Sequence, residues 1–322
     1  MGVKEIADVI KRYNGYIITS HINVEGDAIG SELALFHLMK QLGKSAVIVN
    51  DNSVPERYRF LSGWNKIIVG DNGRLKGYEN IIIVDCPTIE RSGKIAQLVY
   101  NSKIKINIDH HISNANFGDF NWVDLKASSC GEMIFNLYKE LDLSISEEVA
   151  TIIYVAISTD TGSFQYDSTT SQTHQIAGEL IKLGVRPDKI REKIYETKTL
   201  GDIELLSKAL STVKRTGNGR IVYMYVTKQM LDETDTTPDR TDGFINFAGD
   251  IEKSEISIFF REDIEDMKKI HVGFRSKGKV NVNILANKFG GGGHPKASGC
   301  LITGNLEDVI KKVLEVTEEF LL

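Results

Sequence analysis

Through the first 185 residues, short apolar runs alternate with stretches of helical periodicity. Tyr16-Ile17-Ile18-Thr19, Val47-Ile48-Val49, Ile67-Ile68-Val69, Ile81-Ile82-Ile83-Val84 and Ile104 to Ile108 are apolar or β-branched, with little polar alternation. A strand with one face in water alternates, whereas a continuous apolar run belongs to a parallel sheet covered by helices on both faces. Ile29, Leu33, Phe36 and Met39 lie near helical spacing and predict a helix over 28–42. Further helices are predicted at 127–140, 146–158 and 171–183. Around Gly184-Val185-Arg186-Pro187 the pattern changes to a charged helical stretch from Asp188 to about Ser211. Beyond it, strands are predicted at Arg220 to Val226, Glu255 to Phe260 and Ile270 to Phe274. The charged segment from Arg261 to Lys269 reads as a hairpin loop between the last two. Helices are predicted at 281–289 and 306–320. The expected architecture is α/β. A first domain (1–186) has a mainly parallel sheet flanked by helices, a helical connector spans 187–211, and a smaller α/β domain with a mixed sheet spans 212–322.

Composition narrows the class without changing this picture. A chain of 322 residues with 41% hydrophobic and 26% charged residues has the balance of a two-domain globular protein. A net charge of -5 argues against binding long duplex DNA, which calls for a basic surface. A local basic pocket for a short nucleotide stays open. Cys86, Cys130 and Cys300 are far apart and form no CxxC pair, which fits a reducing cytoplasm without a disulfide framework. The N-terminal segment carries acids early and lacks the apolar core of a signal peptide, and Ala7 makes Gly2 a poor myristoylation site. No run of about 18 apolar residues predicts a membrane span.

Four clusters of acids or histidines each follow an apolar run and are placed at strand carboxyl ends: His21 to Ser31, Asp85, Asp109-His110-His111, and Ser158-Thr159-Asp160-Thr161-Gly162 after Ile152 to Ile157. Each has a plain structural reading. The first is a helix-capping turn, Asp85 before Pro87 an N-cap, Asp109-His110-His111 a solvated turn or buried pair, and Asp160 the cap of a turn. In a parallel sheet, however, all strand carboxyl ends share one edge, where ligands bind. Four or five carboxylates gathered there without counter-charge cost several kcal/mol, and divalent cations remove that cost. Carboxylate plus imidazole suits manganese better than calcium. A fifth cluster, Phe289-Gly290-Gly291-Gly292-Gly293-His294-Pro295-Lys296-Ala297-Ser298-Gly299, reads as an anion-binding loop or as a flexible turn. Arg275-Ser276 reads as a bidentate phosphate contact or as a solvated strand end.

In this order the five motifs resemble the DHH–DHHA1 phosphoesterase superfamily over nearly the whole chain. The similarity is greatest to the bacterial nano-RNase/pAp phosphatases and the phosphodiesterases of cyclic-dinucleotide pathways. The resemblance implies two manganese ions, with magnesium or cobalt as substitutes. His21, Glu25 and Asp85 would ligate one; Asp27, Asp85, His110 and Asp160 would ligate the other, with Asp85 bridging. Asp109 would orient the triplet and His111 would face the substrate phosphate. Arg91, Asn246, Arg275, Ser276, the loop Gly291, Gly292, Gly293 and His294, Lys296 and Ser298 would hold the rest of the substrate. Where the family usually has Pro-Asp-Gly-Asp, this chain has Val24-Glu25-Gly26-Asp27, so one ligand arm is a methylene longer.

The resemblance further implies a water activated between two metals, attacking in line with the scissile phosphorus, while the second domain clamps the far end of a short substrate. The expected reaction releases 5′-mononucleotides from nanoRNA, short DNA or pApA-type dinucleotides, or phosphate from pAp. The expected partners are these short oligonucleotides and linear or cyclic dinucleotides, with no membrane and with a second copy of the chain in a homodimer. The alternatives are a pyrophosphatase or polyphosphatase, a RecJ-like single-strand exonuclease, and a non-catalytic nucleotide sensor.

Overall fold

The computed structural model describes residues 1–70, 75, 77–293 and 295–321. The chain divides into two units, Met1–Thr197 and Lys198–Leu322. The first contains β1 (Tyr16–Thr19), β2 (Ala46–Asn50), β3 (Ile67–Val69), β4 (Asn80–Val84), β5 (Ile104–Asp109) and β6 (Phe120–Val123). Its helices are α1 (Val3–Arg12), α2 (Gly26–Gln41), α3 (Ala96–Asn101), α4 (Cys130–Glu140), α5 (Glu147–Asp160), α6 (Ser171–Lys182) and α7 (Pro187–Ile194). Among the described residues the strands form one sheet in the order β3-β2-β1-β4-β5-β6, with every neighbouring pair parallel.

The unbroken apolar runs follow from this burial. Side chains alternate between the two sheet faces. Ile18, Ile48, Ile82, Val84, Ile106 and Ile108 join the core under the α1, α2, α4 and α5 side. Ile17, Val49, Ile81 and Ile83 pack with Cys86, Ile95 and Val99 on the other face. The order also creates a switch point. From β1 the chain winds outward to β3, then returns to β4 on the other side of β1 and winds outward to β6. The loops leaving β1 and β4 therefore diverge, and a ligand crevice opens beyond their carboxyl ends.

One expectation is corrected here. The helix predicted over 146–158 is present as Glu147–Asp160 with Ser146 as its N-cap, and what falls is the placement of the Asp160 cluster at a strand carboxyl end. Asp160 is therefore the last residue of a helix. The run Ile152 to Ile157 is apolar almost all round because α5 is buried on several sides, with Ile152, Ile153, Val155, Ala156 and Ile157 fully covered. The helical connector expected over 187–211 is two helices, and they fall in different units. Ile190 and Ile194 of α7 join the first core, whereas the next helix, α8 (Leu200–Ser211), sends Leu205 and Ala209 into the second unit.

That second unit contains β7 (Lys214–Thr216), β8 (Ile221–Val226), β9 (Ile256–Glu262), β10 (Lys269–Ser276), β11 (Gly292–Gly293) and β12 (Ala297–Thr303). Its remaining helices are α9 (Lys228–Glu233), α10 (Phe244–Gly249), α11 (Val282–Asn287) and α12 (Leu306–Glu319). The sheet runs β11-β12-β10-β9-β8-β7 and is mixed: β8 and β9 are parallel, and the other pairs are antiparallel. Ile256, Ile258, Phe260, Val272 and Phe274 pack on α11 and α12. Val222, Met224 and Val226 pack on α8, α9 and α10. No helix among the described residues is long and apolar enough to cross a membrane.

The helical layer over the first sheet depends on glycine. A Cβ on Gly30 of α2 would lie 2.8 Å from the Ala156 Cβ and 2.9 Å from the Ile152 carbonyl oxygen of α5. A Cβ on Gly131 of α4 would lie 2.4 Å from the same Ala156 methyl. Three helices thus meet at one methyl group with no room for a side chain. Gly30→Val is expected to force α2 and α5 apart and lower stability by about 1–3 kcal/mol, read as a drop in the thermal unfolding midpoint. An unchanged midpoint would show that the helices do not depend on this contact.

Candidate functional site

The switch point gathers side chains from four places in the chain. His21 follows β1, Asp85 follows β4, Asp109 ends β5 with His110 and His111 behind it, and Asp27 lies in the first turn of α2. Asp160 arrives from the helical side, at the end of α5. Gly26 explains how α2 and α5 come close enough: a Cβ there would lie 2.3 Å from the Thr159 hydroxyl. The glycine of the first motif therefore brings Asp27 and Asp160 to one place.

Asp85 is the centre of the group. Its Oδ2 lies 3.4 Å from His21 Nε2 and its Oδ1 3.5 Å from His110 Nε2. It is 3% exposed. Its backbone has φ 52, in the left-handed region, where a non-glycine residue stores strain and which Asp and Asn tolerate best. The Asp85 N–H donates to the Ile108 carbonyl at 3.0 Å, tying the turn to β5. His110 Nε2 also lies 3.5 Å from Asp160 Oδ2 and 3.9 Å from Asp27 Oδ2.

Asp27 is held by the amino end of α4. Its Oδ2 accepts from Cys130 N–H at 2.7 Å, and its Oδ1 accepts from Gly131 N–H at 2.8 Å and from the Ser31 hydroxyl at 3.1 Å. A helix amino end presents unsatisfied N–H groups, so a buried carboxylate is stabilised there. Asp109 is fully buried. It accepts from His111 Nδ1 at 2.7 Å and from the Asn114 amide, which fixes the imidazole ring from behind.

Burial and charge set the protonation of the cluster. Burial pushes the Asp27 carboxyl well above its usual value, and the neighbouring Asp85 and Asp160 charges add to this. Burial raises Asp160 to about 6, with Asp85 and Glu25 adding and His110 opposing. Burial works against the ionised form of Asp85 as well, but the His110 and His21 imidazoles overcome it and hold that carboxyl well below the usual range. Desolvation works against a charged His21 and a charged His110, yet hydrogen bonding and attraction to Asp85 raise them to about 9 and about 10. Asp85 is thus an anion between imidazoliums whose protons stand where a cation would bind.

Among the described residues, two groups of donor atoms lie within 4.8 Å of one another: Asp27, Asp85, His110 and Cys130, and Asp85, Asp109 and His111. Asp85 belongs to both. The donor set fits a divalent cation, being carboxylate and imidazole held in place by hydrogen bonds from behind. Cys130 was not anticipated, nor were the Cys130 and Gly131 N–H groups that hold Asp27. The sequence signal for them is Ser129-Cys130-Gly131-Glu132, a capping pattern opening an apolar helix. Ser129 indeed accepts from the Glu132 N–H. Glu25 belongs to neither group. It is exposed at the N-cap position of α2, although its charge acts on His21 and Asp160. Arg91 is exposed in the turn Ile89–Ile95, and its carbonyl accepts from Ile22 N–H at 2.7 Å, which ties that turn to the His21 motif.

The second unit holds the other predicted residues. Arg275 lies on β10 opposite Ala297, and its guanidinium donates to the Phe274 carbonyl. The Ser276 N–H donates to the Lys296 carbonyl at 3.0 Å, and the Lys296 ammonium donates to the Gly278 carbonyl. Ser298 is buried and pairs with Phe274 on one side and Gly293 on the other. Asn246 is exposed on α10. His294 lies outside the described residues. The glycine run is not a free loop, because Gly292 and Gly293 pair with Gly299 and Ser298 as a short strand. A Cβ on Gly291 would lie 2.1 Å from the Gly299 carbonyl oxygen, and one on Gly293 2.6 Å from that of Ala297. These glycines permit two backbones to touch.

Comparison with known proteins agrees with this arrangement. Residues 16–157 match the model of the DHH family, N-terminal domain, and residues 218–321 match the DHHA1 domain. The chain is 32% identical over 302 residues to the bifunctional oligoribonuclease and PAP phosphatase NrnA of Bacillus subtilis, covering 92% of each chain. It is 32% identical over 317 residues to the protein of the same name from Thermus thermophilus, covering 98% of this chain and 93% of that one. The crystal structure of an exopolyphosphatase-related protein from Bacteroides fragilis superposes with a TM-score of 0.92 at 30% identity, over 98% of this chain and 95% of that one. The chain belongs to the DHH family, carries a DHHA1 domain after its DHH domain, and is a hydrolase of phosphoester bonds.

Proposed function

We propose that the chain is a manganese-dependent phosphodiesterase and phosphatase. It hydrolyses nanoRNA and pApA-type dinucleotides to 5′-mononucleotides, and pAp to AMP. The observation that carries this reading is the Asp85 carboxylate, whose two oxygens face two different imidazoles, His21 at 3.4 Å and His110 at 3.5 Å. A carboxylate so placed serves two cation positions at once. In this reading His21, Glu25 and Asp85 hold one cation, and Asp27, Asp85, His110 and Asp160 hold the other. A bound pair of divalent ions supplies an activated water and neutralises charge on the phosphoryl group.

The protein's own residues do the rest. Asp109 and Asn114 lock His111 in one orientation, from which it donates to a phosphoryl oxygen. Asp27, held by the α4 amino end, keeps its carboxylate fixed, so the site does not reorganise as charge develops. Arg91, tied to the His21 motif through its carbonyl, reaches the same phosphate. In the second unit Arg275, with Ser276, Lys296, Ser298, Asn246 and the Gly291–His294 segment, is the candidate nucleotide-recognition set, with Arg275 as a bidentate phosphate ligand. The names of the Bacillus and Thermus relatives support the choice of short oligoribonucleotides and pAp. An assay offering pApA, pAp, pyrophosphate and polyphosphate tests it; turnover of the last two without the first two would replace it.

Asn retains the left-handed backbone that position 85 requires, so Asp85→Asn isolates the missing charge. Turnover of pApA should fall by more than about a hundredfold, beyond the usual cost of losing a partner behind a metal ligand, with the unfolding midpoint kept. Retained manganese-dependent turnover would remove Asp85 from the bridging position. Cation binding must displace the protons on His21 (about 9), His110 (about 10) and Asp160 (about 6). The apparent manganese affinity of the metal-free protein is therefore expected to rise as pH rises from about 6 to about 9, with protons released to the buffer. Calorimetry in buffers of different ionisation enthalpy reads both quantities, and a flat affinity would contradict the ligand set. Arg275→Ala is expected to raise the KM for pApA about tenfold or more, the scale of a lost charged hydrogen bond, with kcat little changed. An unaltered KM would take Arg275 out of the substrate site.

A further inference from the structure

The cation site contains one donor that the phosphoesterase reading does not use. Cys130 is fully buried at the first position of α4, and its Sγ shares the cluster in which the donor atoms of Asp27, Asp85, His110 and Cys130 lie within 4.8 Å of one another. Two edges of that cluster are measured: His110 Nε2 to Asp85 Oδ1 at 3.5 Å and His110 Nε2 to Asp27 Oδ2 at 3.9 Å. A tetrahedral ion bound at about 2.0–2.3 Å needs donor–donor edges of about 3.3–3.8 Å. These two edges lie near that range, and the sulfur lies within 4.8 Å of the other three donor atoms.

The sulfur has only a weak competing bond. Cys130 Sγ lies 3.4 Å from the Ile108 carbonyl, to which it donates, and a thiol is a poor donor. The backbone of the same residue is fixed, because its N–H donates to Asp27 Oδ2 at 2.7 Å. The thiol is thus carried on the helix end that also holds a ligand carboxylate. Hard cations favour oxygen and imidazole and leave sulfur alone, whereas soft or borderline cations take thiolate readily.

We infer that Cys130 is an additional ligand for thiophilic cations at the centre formed by Asp27, Asp85, His110 and Asp160. Cadmium or zinc held there would form a metal–sulfur bond as the S–H proton is lost, against the burial and the Asp27, Asp85 and Asp109 charges that push this thiol well up. Manganese and magnesium leave the thiol bonded to Ile108. Cys130 thereby distinguishes thiophilic cations from hard ones at this centre. The inference rests on the cation site of the proposed function and not on the choice of substrate, and its readout is independent of hydrolysis.

The test uses the full chain, freed of metal by chelation and titrated with cadmium alone. The wild-type protein is expected to show the ultraviolet thiolate-to-cadmium charge-transfer band. The double variant Cys86→Ser/Cys300→Ser should retain the band, and Cys130→Ser should lose it together with about tenfold or more in cadmium affinity, while manganese affinity stays within about twofold. Cadmium NMR on the wild-type protein needs no variant and reports sulfur in the shell directly, which keeps the test decisive if Cys130→Ser fails to fold. Cadmium bound without a thiolate band, a band that survives Cys130→Ser, or a cadmium resonance typical of oxygen and nitrogen ligands alone would each overturn the inference. A thiolate band in a protein that hydrolyses neither pApA nor pAp would leave it standing and remove only the substrate assignment.

Discussion

The carboxylate of Asp85 is the constraint around which the first unit is arranged. It is buried, ionised and fixed on a left-handed turn, with an imidazole on each side. A buried charge without partners costs several kcal/mol, and the strained backbone adds about 1–3 kcal/mol more. Such a residue persists only where its surroundings determine it from several directions. Here β4 and β5 hold the turn through the Asp85–Ile108 hydrogen bond, and the imidazoles supply the compensating charge. The sheet order places this turn beside the end of β1, so the strain sits at the one point of the sheet where neighbouring loops diverge.

The other carboxylates are controlled by different means. Asp27 is neutralised in part by the α4 amino end and held by three hydrogen bonds. Asp109 is engaged by His111 and Asn114. Asp160 stands at the end of α5, where burial, with the Asp85 and Glu25 charges adding, raises it to about 6. Four aspartates of the same chemistry thus occupy four environments, and carboxylates gathered this closely are receptive to cations.

Much of this was legible in the sequence, and for a physical reason. A strand buried on both faces must be apolar throughout, so Ile81 to Val84 and Ile104 to Ile108 announce a parallel sheet, and Asp85 and Asp109 then stand at its carboxyl edge. The same logic wrongly sets Asp160 at a strand end, although its own segment is predicted helical over 146–158, because a helix buried on several sides is also apolar throughout, and an apolar run alone does not separate the two. Edge elements are faint for the opposite reason. β6 buries only Trp122 fully, and β12 carries two small residues and a glycine in its first three positions. Cys130 escaped notice because its role comes from a contact 103 residues distant, between its N–H and Asp27, which no local pattern encodes. The glycines before His294 were legible as glycine but not as strand, since the backbone approach that requires them is visible only once β12 lies against them.

Glu25 shows how a departure from a motif can be absorbed. An aspartate at that position would have a short arm, with its carboxylate set by the backbone. Glutamate adds one rotatable bond, and ordering it on a cation costs side-chain entropy of the order of 0.5 kcal/mol or more. The helix places it where this cost matters least. As N-cap of α2, Glu25 lies at the positive end of the macrodipole, exposed and free of the burial that raises Asp27 and Asp160. Its negative charge already acts on His21 and Asp160 without contact. A flexible, solvated carboxylate at the rim and rigid, buried ones beneath it divide the work. In the proposed two-cation reading, the buried set would fix where a cation sits and Glu25 would follow it, so the longer arm would change how readily one position fills without displacing the centre.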